Sequence, residues 1–457
     1  MTRSLSDSIA GAVIGPDDPE YAEARKVWNG DIDRRPALIV RCASVSDVVA
    51  AIRYAREEAL EIAVRGGGHS TPGMSAVDDG LVIDLSDINS VEVDPTTKRA
   101  RVGAGARLAE LDAATQEHGL AVPTGLISHT GIAGLTLGGG MGWLTRQAGL
   151  TIDNLVSAEM VTADGSVLRV SENENPELFW AIRGGGGNFG VVTEFELALH
   201  DVGPTIQFGF LFWDVEQGPE LLRLARDTIA ALPRELNIVV AGLSAPAAEF
   251  VPEQYHLRTG YALMVAGFGS PETHSEIVDA LRAALPPLFD FTAPMPYVAL
   301  QQLLDEGSPW GTLCYEKSLY LEDLSDEVIS TVCEQLPRKS SANSMLTLYR
   351  LDEEYSRPAD EDTAFSGSRK PQYAAFVVGM CPTAELLATE RVWVRSFWEA
   401  LTPHIAATGT YVNAIGKSTD DRVRAAYGTE KYERLAKLKS LYDPHNVFHR
   451  NANIKPA

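Results

Sequence analysis

Three glycine-rich segments in the first half of the chain constrain its fold more than any other feature. The first reads Arg65-Gly66-Gly67-Gly68-His69-Ser70 and follows the apolar run 60–64, which predicts a short strand. Glycine adopts positive φ and lets backbone N–H groups approach an anion, and Arg65 adds a positive charge for a pyrophosphate. On this motif alone a phosphate site and a plain tight turn both remain open, and His69 can be a structural histidine.

The second and third segments repeat the arrangement. Residues 138–142 follow the run Leu135-Thr136-Leu137, and residues 183–190 precede the strand predicted at 191–195. Three such loops, each beside a predicted apolar strand, indicate a backbone surface built for one long, phosphate-bearing ligand. None has the spacing of a P-loop or of a nicotinamide Rossmann domain, so both of those classes are disfavoured.

The order of predicted elements indicates an α+β protein. Strands, glycine turns and helices alternate over 36–201, with a helix start at Ser44 and a hairpin at 91–102. After residue 204 longer strands and helices indicate an antiparallel sheet covered by helices, and the polar stretch 353–368 predicts an exposed connection. We predict a cofactor-binding domain over 1–204 (core about 32–202), a substrate-binding domain over 205–410, and a C-terminal segment, 411–457, that returns to the first domain.

Composition narrows the function classes. The net charge of −23 disfavours nucleic acid and anionic membranes as partners. The four cysteines are scattered and the nine histidines show no paired ligand spacing, so no metal site is expected. There is no apolar run of the length that a membrane span needs and no export signal at the N-terminus, so we expect a cytoplasmic protein. No pattern marks an oligomer interface.

Several further segments, taken with the glycine loops, carry a family resemblance. They are residues 36–40, 65–70, 131–143, 153–154, 161–165, 177–190 and 442–448. Together they resemble the FAD-linked oxidases that include berberine bridge enzyme, whose FAD-binding fold is the PCMH type of the vanillyl-alcohol oxidase superfamily. The resemblance implies a two-subdomain FAD-binding domain beside a substrate domain.

The resemblance also implies how the cofactor is held. His69 would carry the 8α-methyl group of FAD on a ring nitrogen, which raises the flavin's potential and prevents its loss. The residues that the resemblance places at the cofactor are Arg65, Gly66, Gly67, Gly68, His69, Ser70, His129, Thr130, Gly131, Gly134, Leu135, Gly139, Gly140, Gly142, Trp143, Asp153, Asn154, Gly187, Asn188, Gly190, Val191, Val192 and Asn413.

One position departs from the pattern of many family members. They attach FAD a second time through a cysteine in a Gly-Thr-Cys-Pro segment, but this chain reads Gly125-Leu126-Ile127-Ser128-His129-Thr130, with Ile127 at that position. The resemblance therefore implies the singly attached bacterial type, with a smaller or more apolar substrate than the sugars of doubly attached members.

The resemblance implies hydride transfer from a small-molecule alcohol or amine to FAD, and reoxidation by dioxygen with release of hydrogen peroxide. The family's glutamate base would fall near 345–350, where no carboxylate stands, so Tyr349 and Tyr411 are the candidates to take the substrate's proton. A tyrosine with its ordinary pKa of about 10 is a poor base without a nearby cation, and both side chains can instead be pocket walls. Thr130 would flank the flavin on the oxygen side, or be a structural threonine.

Two other functions remain open on the sequence. One is a dehydrogenase of the same fold that passes electrons to a quinone or a protein. The other is a non-catalytic protein that binds flavin or a metabolite, which the missing glutamate makes conceivable.

Overall fold

The computed structural model describes residues 5–406, 410–416 and 420–457. The strands are β1 Ala12–Ile14, β2 Leu38–Arg41, β3 Ile62–Arg65, β4 Leu81–Asp84, β5 Val91–Asp94, β6 Arg99–Gly103, β7 Leu120–Ala121, β8 Leu155–Val161, β9 Val167–Ser171, β10 Val191–Ala198, β11 His200–Asp201, β12 Thr205–Asp214, β13 Leu236–Ser244, β14 Thr259–Gly267, β15 Phe289–Pro296, β16 Leu313–Leu321, β17 Met345–Leu351 and β18 Gln372–Cys381. The α-helices are α1 Tyr21–Ala24, α2 Val45–Glu57, α3 Leu108–Gln116, α4 Ile132–Gly138, α5 Thr145–Ala148, α6 Pro176–Ile182, α7 Gly218–Ala230, α8 Pro271–Ala284, α9 Tyr297–Gln301, α10 Asp326–Gln335, α11 Ala384–Leu401, α12 Asp420–Tyr427 and α13 Thr429–Tyr442.

The first sheet has four strands in the order β1-β2-β4-β3, and β2, β4 and β3 run parallel. Helix α2 connects β2 to β3, and its start is the one predicted, because the Ser44 hydroxyl accepts a hydrogen bond from the Asp47 amide at 3.4 Å. Arg65 closes β3, so the first glycine-rich segment leaves the carboxyl end of a parallel strand. Loops at this end of parallel strands are where ligands bind in many α/β proteins.

The second sheet has five antiparallel strands in the order β5-β6-β10-β8-β9. The predicted hairpin is confirmed, since Asp94 pairs with Arg99. Val40, Val102 and Phe195, which come from both sheets, belong to one buried cluster. The two sheets therefore share a core.

The third sheet has seven strands in the order β15-β12-β14-β13-β17-β18-β16, all antiparallel. One face is covered by helices α7, α8, α10 and α11, whose apolar side chains form a cluster with the strands. The other face, which we call the inner face, carries Phe208, Val239 and Met264 and packs partly against Trp143. The α+β fold and the sheet covered by helices are confirmed.

Two local predictions were wrong. Residues 135–137 are not a strand but part of α4, because Gly131 stands at a helix start and the following apolar residues pack with helical period. A short apolar run fits both structures, so the sequence alone does not separate them. Residues 353–368 are not exposed throughout: 359–362 are exposed, but Phe365 is fully buried and packs near Tyr320 and Tyr411.

The C-terminal residues contact the third glycine-rich segment. The Ile454 amide donates to the Asn188 side chain at 2.9 Å, and the Lys439 ammonium donates to the Asn188 carbonyl at 2.6 Å. The domain boundaries given above stay a prediction. Within the part of the chain that the structure describes, no helix has the length and apolar character to cross a membrane.

Candidate cofactor and substrate cavity

A cavity of about 970 Å³ is lined on one side by the glycine loops and on the other by the inner face of the seven-stranded sheet. The predicted residues that line it are Gly66, Gly67, Gly68, His69, Ser70, Thr130, Gly131, Gly134, Leu135, Gly187, Gly190, Val191, Val192, Tyr349, Tyr411 and Asn413. Segments far apart in sequence thus meet around one space, whose volume is at the upper end of the range for ligand pockets.

His69 lies in this cavity between two aromatic side chains. Its ring stacks on Trp28, with centroids 4.3 Å apart and planes 14° apart, and His129 is tilted against it at 4.9 Å. The buried Nε2 atom has no hydrogen-bond partner among the described residues. Burial above all, and the nearby His129 and Arg107, lower the pKa of His69 to about 3. The imidazole is therefore neutral at physiological pH, which leaves a lone pair for bond formation.

Trp28 fixes the ring of His69 and was missed in the sequence. Its indole N–H donates to the Ser308 carbonyl at 2.9 Å, and its backbone N–H donates to the Gly68 carbonyl at 3.0 Å. Trp28 is therefore attached to the first glycine-rich segment through its backbone and to the loop before β16 through its indole. A single tryptophan in Lys-Val-Trp-Asn-Gly carries no motif, so no local signal could have identified it.

Gly67 and Gly131 show why glycine is needed in two of the loops. A Cβ atom on Gly67 would lie 2.2 Å from the Gly131 amide nitrogen, and one on Gly131 would lie 2.2 Å from that of Gly67. The two backbones therefore cross in direct contact, and a side chain at either position would push the loops apart. This crossing holds Thr130 next to the His69 loop.

Two other glycines leave open space between their backbone and the cavity, where a long cofactor could lie. Gly134 and Gly187 line the cavity, and beyond the adjoining backbone no described atom lies within 4 Å of the position that a Cβ would take on either. A ligand can therefore approach both backbones directly. Together with the free nitrogen of His69, this arrangement fits FAD, with Gly66–Ser70, Gly134 and Gly187 as the residues that would hold it.

The remaining predicted cofactor residues do not line the cavity. They are Arg65, His129, Gly139, Gly140, Gly142, Trp143, Asp153, Asn154 and Asn188. The charge expected at a pyrophosphate is already paired, because the Arg65 guanidinium lies 2.7 Å from an Asp84 oxygen. Asp153 is likewise paired with Arg369 at 2.7 Å.

Two asparagines of this set, Asn154 and Asn188, hold the backbone around the cavity through their side chains. Asn154 donates to the carbonyls of Ala148 and Leu150 at 2.8 and 2.9 Å. Asn188 donates to the Gly185 carbonyl at 2.8 Å. These hydrogen bonds give both asparagines a structural role that does not depend on a ligand.

The glycines of the second glycine-rich segment pack against protein, whereas Met141 of the same segment lines the cavity. Side chains on Gly139 and Gly140 would meet Phe365 at 2.7 Å and Thr151 at 2.0 Å, and one on Gly142 would meet the Thr124 carbonyl at 2.0 Å. The glycines here make room for neighbouring chain segments. Close approach of this loop to a ligand was the expectation, and the structure gives a different reason for its composition.

Both candidate tyrosines line the cavity. The Tyr411 hydroxyl oxygen accepts hydrogen bonds from the Gly140 amide at 3.1 Å and the Asn413 amide at 2.9 Å. Burial raises the pKa of Tyr411 to about 12 and that of Tyr349 to about 12. Neither group is ionised at neutral pH, so each offers a hydrogen-bond donor more readily than a base.

Glu316, on β16, lines the same cavity and was not predicted from the sequence. Burial raises the pKa of its carboxyl group, and the neighbouring Thr71 hydroxyl partly offsets that effect. Its segment, Leu-Cys-Tyr-Glu-Lys-Ser, resembles an edge strand with charges in solvent, which explains the omission. No group of three potential metal ligands occurs among the described residues.

The chain is similar to known FAD-dependent proteins. The FAD binding domain family matches residues 36–171, and the berberine and berberine-like family matches residues 410–455. An FAD-linked oxidoreductase of Dictyostelium discoideum is 30% identical over 100% of this chain and 97% of its own length. The (R)-6-hydroxynicotine oxidase of Paenarthrobacter nicotinovorans is 31% identical over 98% of this chain and 97% of its own length. The crystal structure of 6-hydroxy-D-nicotine oxidase from Arthrobacter nicotinovorans superposes with a TM-score of 0.84 at 29% identity, covering 98% of this chain and 99% of that one.

Proposed function

Because this chain belongs to the berberine bridge enzyme-like family of FAD-linked oxidoreductases, we propose that it oxidises a small-molecule alcohol or amine. FAD would be bound covalently to His69, and dioxygen would accept the electrons and give hydrogen peroxide. The relatives named above are oxidoreductases, and the hydroxynicotine oxidase takes a small molecule. The substrate class, dioxygen as the electron acceptor and the covalent bond to His69 are proposed.

The position of His69 is the observation that carries the proposal. A neutral imidazole faces the cavity, is held between Trp28 and His129, and has a buried nitrogen without a partner. A surface or core histidine would not need this restraint. The arrangement supports an attachment point whose ring must keep one orientation.

FAD, when bound, supplies the hydride acceptor for the substrate carbon and reacts with dioxygen. The chain supplies the surroundings. The apolar inner face excludes water from the substrate, Tyr349 and Tyr411 offer hydroxyl donors, and Thr130 would lie on the oxygen side. All four cysteines, which lie among the described residues, are free thiols, and this supports a reducing, cytoplasmic location.

The substitution His69→Ala tests the attachment. In the wild-type protein the yellow colour should remain with the protein after acid precipitation, whereas in the variant it should pass to the supernatant. His118→Ala, at an exposed position, serves as the matched control and should keep its colour. Colour that stays with the precipitated His69→Ala protein would show that another residue carries the flavin.

The turnover is tested by mixing the oxidised protein anaerobically with panels of alcohols and amines and following flavin absorbance. Bleaching by a substrate, followed by rapid return of colour and peroxide formation in air, supports an oxidase. Slow return in air together with fast return with a quinone would indicate a dehydrogenase. No bleaching by any compound would favour a non-catalytic binding protein.

Ile127 gives a test of single attachment. It lines the cavity at the position where the family resemblance places a second, cysteinyl anchor. We expect Ile127→Cys to form an additional thioether bond, visible as a changed flavin spectrum. Ile127→Ser, which cannot form it, is the control. An unchanged spectrum in Ile127→Cys would mean that this position does not face the flavin ring.

A further inference from the structure

The inner face of the seven-stranded sheet forms the cavity wall through its last three strands. In the antiparallel pairing Glu316 lies opposite Val378, which lies opposite Met345, and the adjacent row contains Phe376 opposite Thr347. Residues directly opposite each other project from the same face. Glu316 therefore stands in a row of apolar side chains.

Charge is scarce in the cavity. Of the described residues that line it, three are formally charged: Glu306, Glu316 and Arg450. Arg450 lies 3.1 Å from Glu61 and is thereby paired, and Glu306 is exposed to solvent. Among the described residues no cation forms an ion pair with Glu316, and the uncharged Thr71 hydroxyl contacts its carboxyl group. Glu316 is therefore the one acidic side chain of the inner wall with no cationic partner among the described residues.

An ionised carboxyl group at this place is costly, as the raised pKa of Glu316 reflects, and a cationic ligand would offset the cost. A carboxylate removed from water loses hydration that an apolar wall does not replace. Aromatic rings stand close by: Phe376 packs edge-on against Tyr349 at 5.6 Å and against Tyr411 at 6.1 Å. A carboxylate beside aromatic rings is the chemistry that recognises an organic cation, because both attract positive charge.

The position of Glu316 relative to the His69 loop is held by Asn29. The Asn29 amide donates to the carbonyls of Thr71 and Cys314 at 2.7 and 3.0 Å, and its oxygen accepts from the Cys314 amide at 2.9 Å. The loop that contains His69 and the strand that contains Glu316 are thereby connected directly. A ligand held by Glu316 lies in the same cavity as the proposed flavin.

We propose that Glu316 binds the basic nitrogen of the substrate, so that the cavity selects compact apolar amines over alcohols of the same shape. This rests on the proposed function for the identification of the ligand as a substrate, since it narrows the alcohol-or-amine class to amines. The recognition itself needs only the carboxylate, the apolar wall and the aromatic rings.

The test measures binding to the FAD-loaded protein by isothermal titration calorimetry at about pH 8, where an alkylamine is protonated. The probes are two matched pairs, 3-phenylpropylamine with 3-phenylpropan-1-ol and 4-phenylbutylamine with 4-phenylbutan-1-ol. In the wild-type protein each amine should bind at least about tenfold more tightly than its alcohol, because a hydrogen bond between charged groups is roughly twice as strong as a neutral one. This comparison requires no variant.

Glu316→Gln keeps the shape and removes the charge. We expect at least about a tenfold loss of amine affinity and little change for the alcohols. Glu322→Gln removes the same charge at an exposed position just after the same strand and outside the cavity lining, where water screens it, and should leave both affinities nearly unchanged. Equal binding of amine and alcohol in the wild-type protein, failure of the amines to bind, or equal losses in the two variants would each overturn the proposal.

Failure of this inference is distinguishable from failure of the proposed function. The titration is run anaerobically with the flavin already reduced, so binding is measured without turnover, and an amine preference that depends on Glu316 would stand even if no compound bleached the oxidised flavin. Conversely, bleaching by alcohols with no amine preference would leave an oxidase in which Glu316 does not select the substrate.

Discussion

Lys439 and Asp443 form a buried ion pair that connects helix α13 to the third glycine-rich segment. Their closest atoms are 2.7 Å apart, and both side chains have no exposed surface. The ammonium also donates to the carbonyls of Asn188 at 2.6 Å and Phe448 at 2.9 Å. The perturbation with the clearest expected result is therefore Lys439→Met, which keeps an unbranched side chain and removes the charge.

The magnitude follows from what the substitution leaves behind. It leaves one buried carboxylate without its cation and two carbonyls without a donor, and breaking a buried pair in this way costs about 3–5 kcal/mol. Asp443 still accepts from the amides of Val447 at 2.7 Å and Phe448 at 2.9 Å, so we expect the lower end, about 3 kcal/mol. For a domain of roughly 200 residues this corresponds to about 6–12 °C in the melting temperature.

The assay is thermal unfolding followed by flavin fluorescence, which reports on the cofactor side of the molecule. Lys437→Met is the matched control, since it is the same substitution at an exposed position of the same helix. The double variant Lys439→Met with Asp443→Asn removes the unpaired charge and should recover part of the loss. A melting shift in Lys439→Met no larger than in the control, or no recovery in the double variant, would refute the reasoning.

Two further predictions concern buried groups. Burial raises the pKa of Asp112 to about 7, although Gln301 donates to it at 3.1 Å, so the folded protein keeps a proton that the unfolded chain releases near its ordinary pKa of about 4. Stability should therefore fall as pH rises from about 4 to about 7, and Asp112→Asn should flatten the dependence of melting temperature on pH; an unchanged slope would contradict this. Trp28→Ala should lower the fraction of acid-stable flavin because it frees the His69 ring, whereas Trp28→Phe, which keeps a stacking ring, should retain most of it, and equal fractions in the two variants would argue against positioning by stacking.

Much of the fold could be predicted because its local signals are strong. The Ser44 helix start, the hairpin at Asp94 and the change to long antiparallel strands after residue 204 each follow from capping, turn chemistry or alternation. The run at 135–137 was mispredicted, since three apolar residues do not separate helical from strand period. Phe365 was missed because it lies in a polar segment, and its burial depends on glycines distant in sequence.

The site was predicted where glycines and a histidine form a motif, and missed where single residues act through position. The sequence led to His69 and to Gly134, both at the cavity. Trp28 and Glu316 came only from the structure, since their roles depend on contacts with segments far along the chain. Arg65 shows the opposite case: its charge fitted a pyrophosphate, but Asp84, at the end of the neighbouring strand, is its partner.

The two faces of the seven-stranded sheet have different roles, since one lines the cavity and the other packs against helices. Along β16 and β18, alternate residues face the cavity, while those between them pack on the side covered by helix α11. Exchange of Glu316, Phe376 or Val378 would alter the ligand surface without changing the residues that hold the helices. The cavity wall can therefore change one residue at a time while the contacts between the sheet and its helices stay the same.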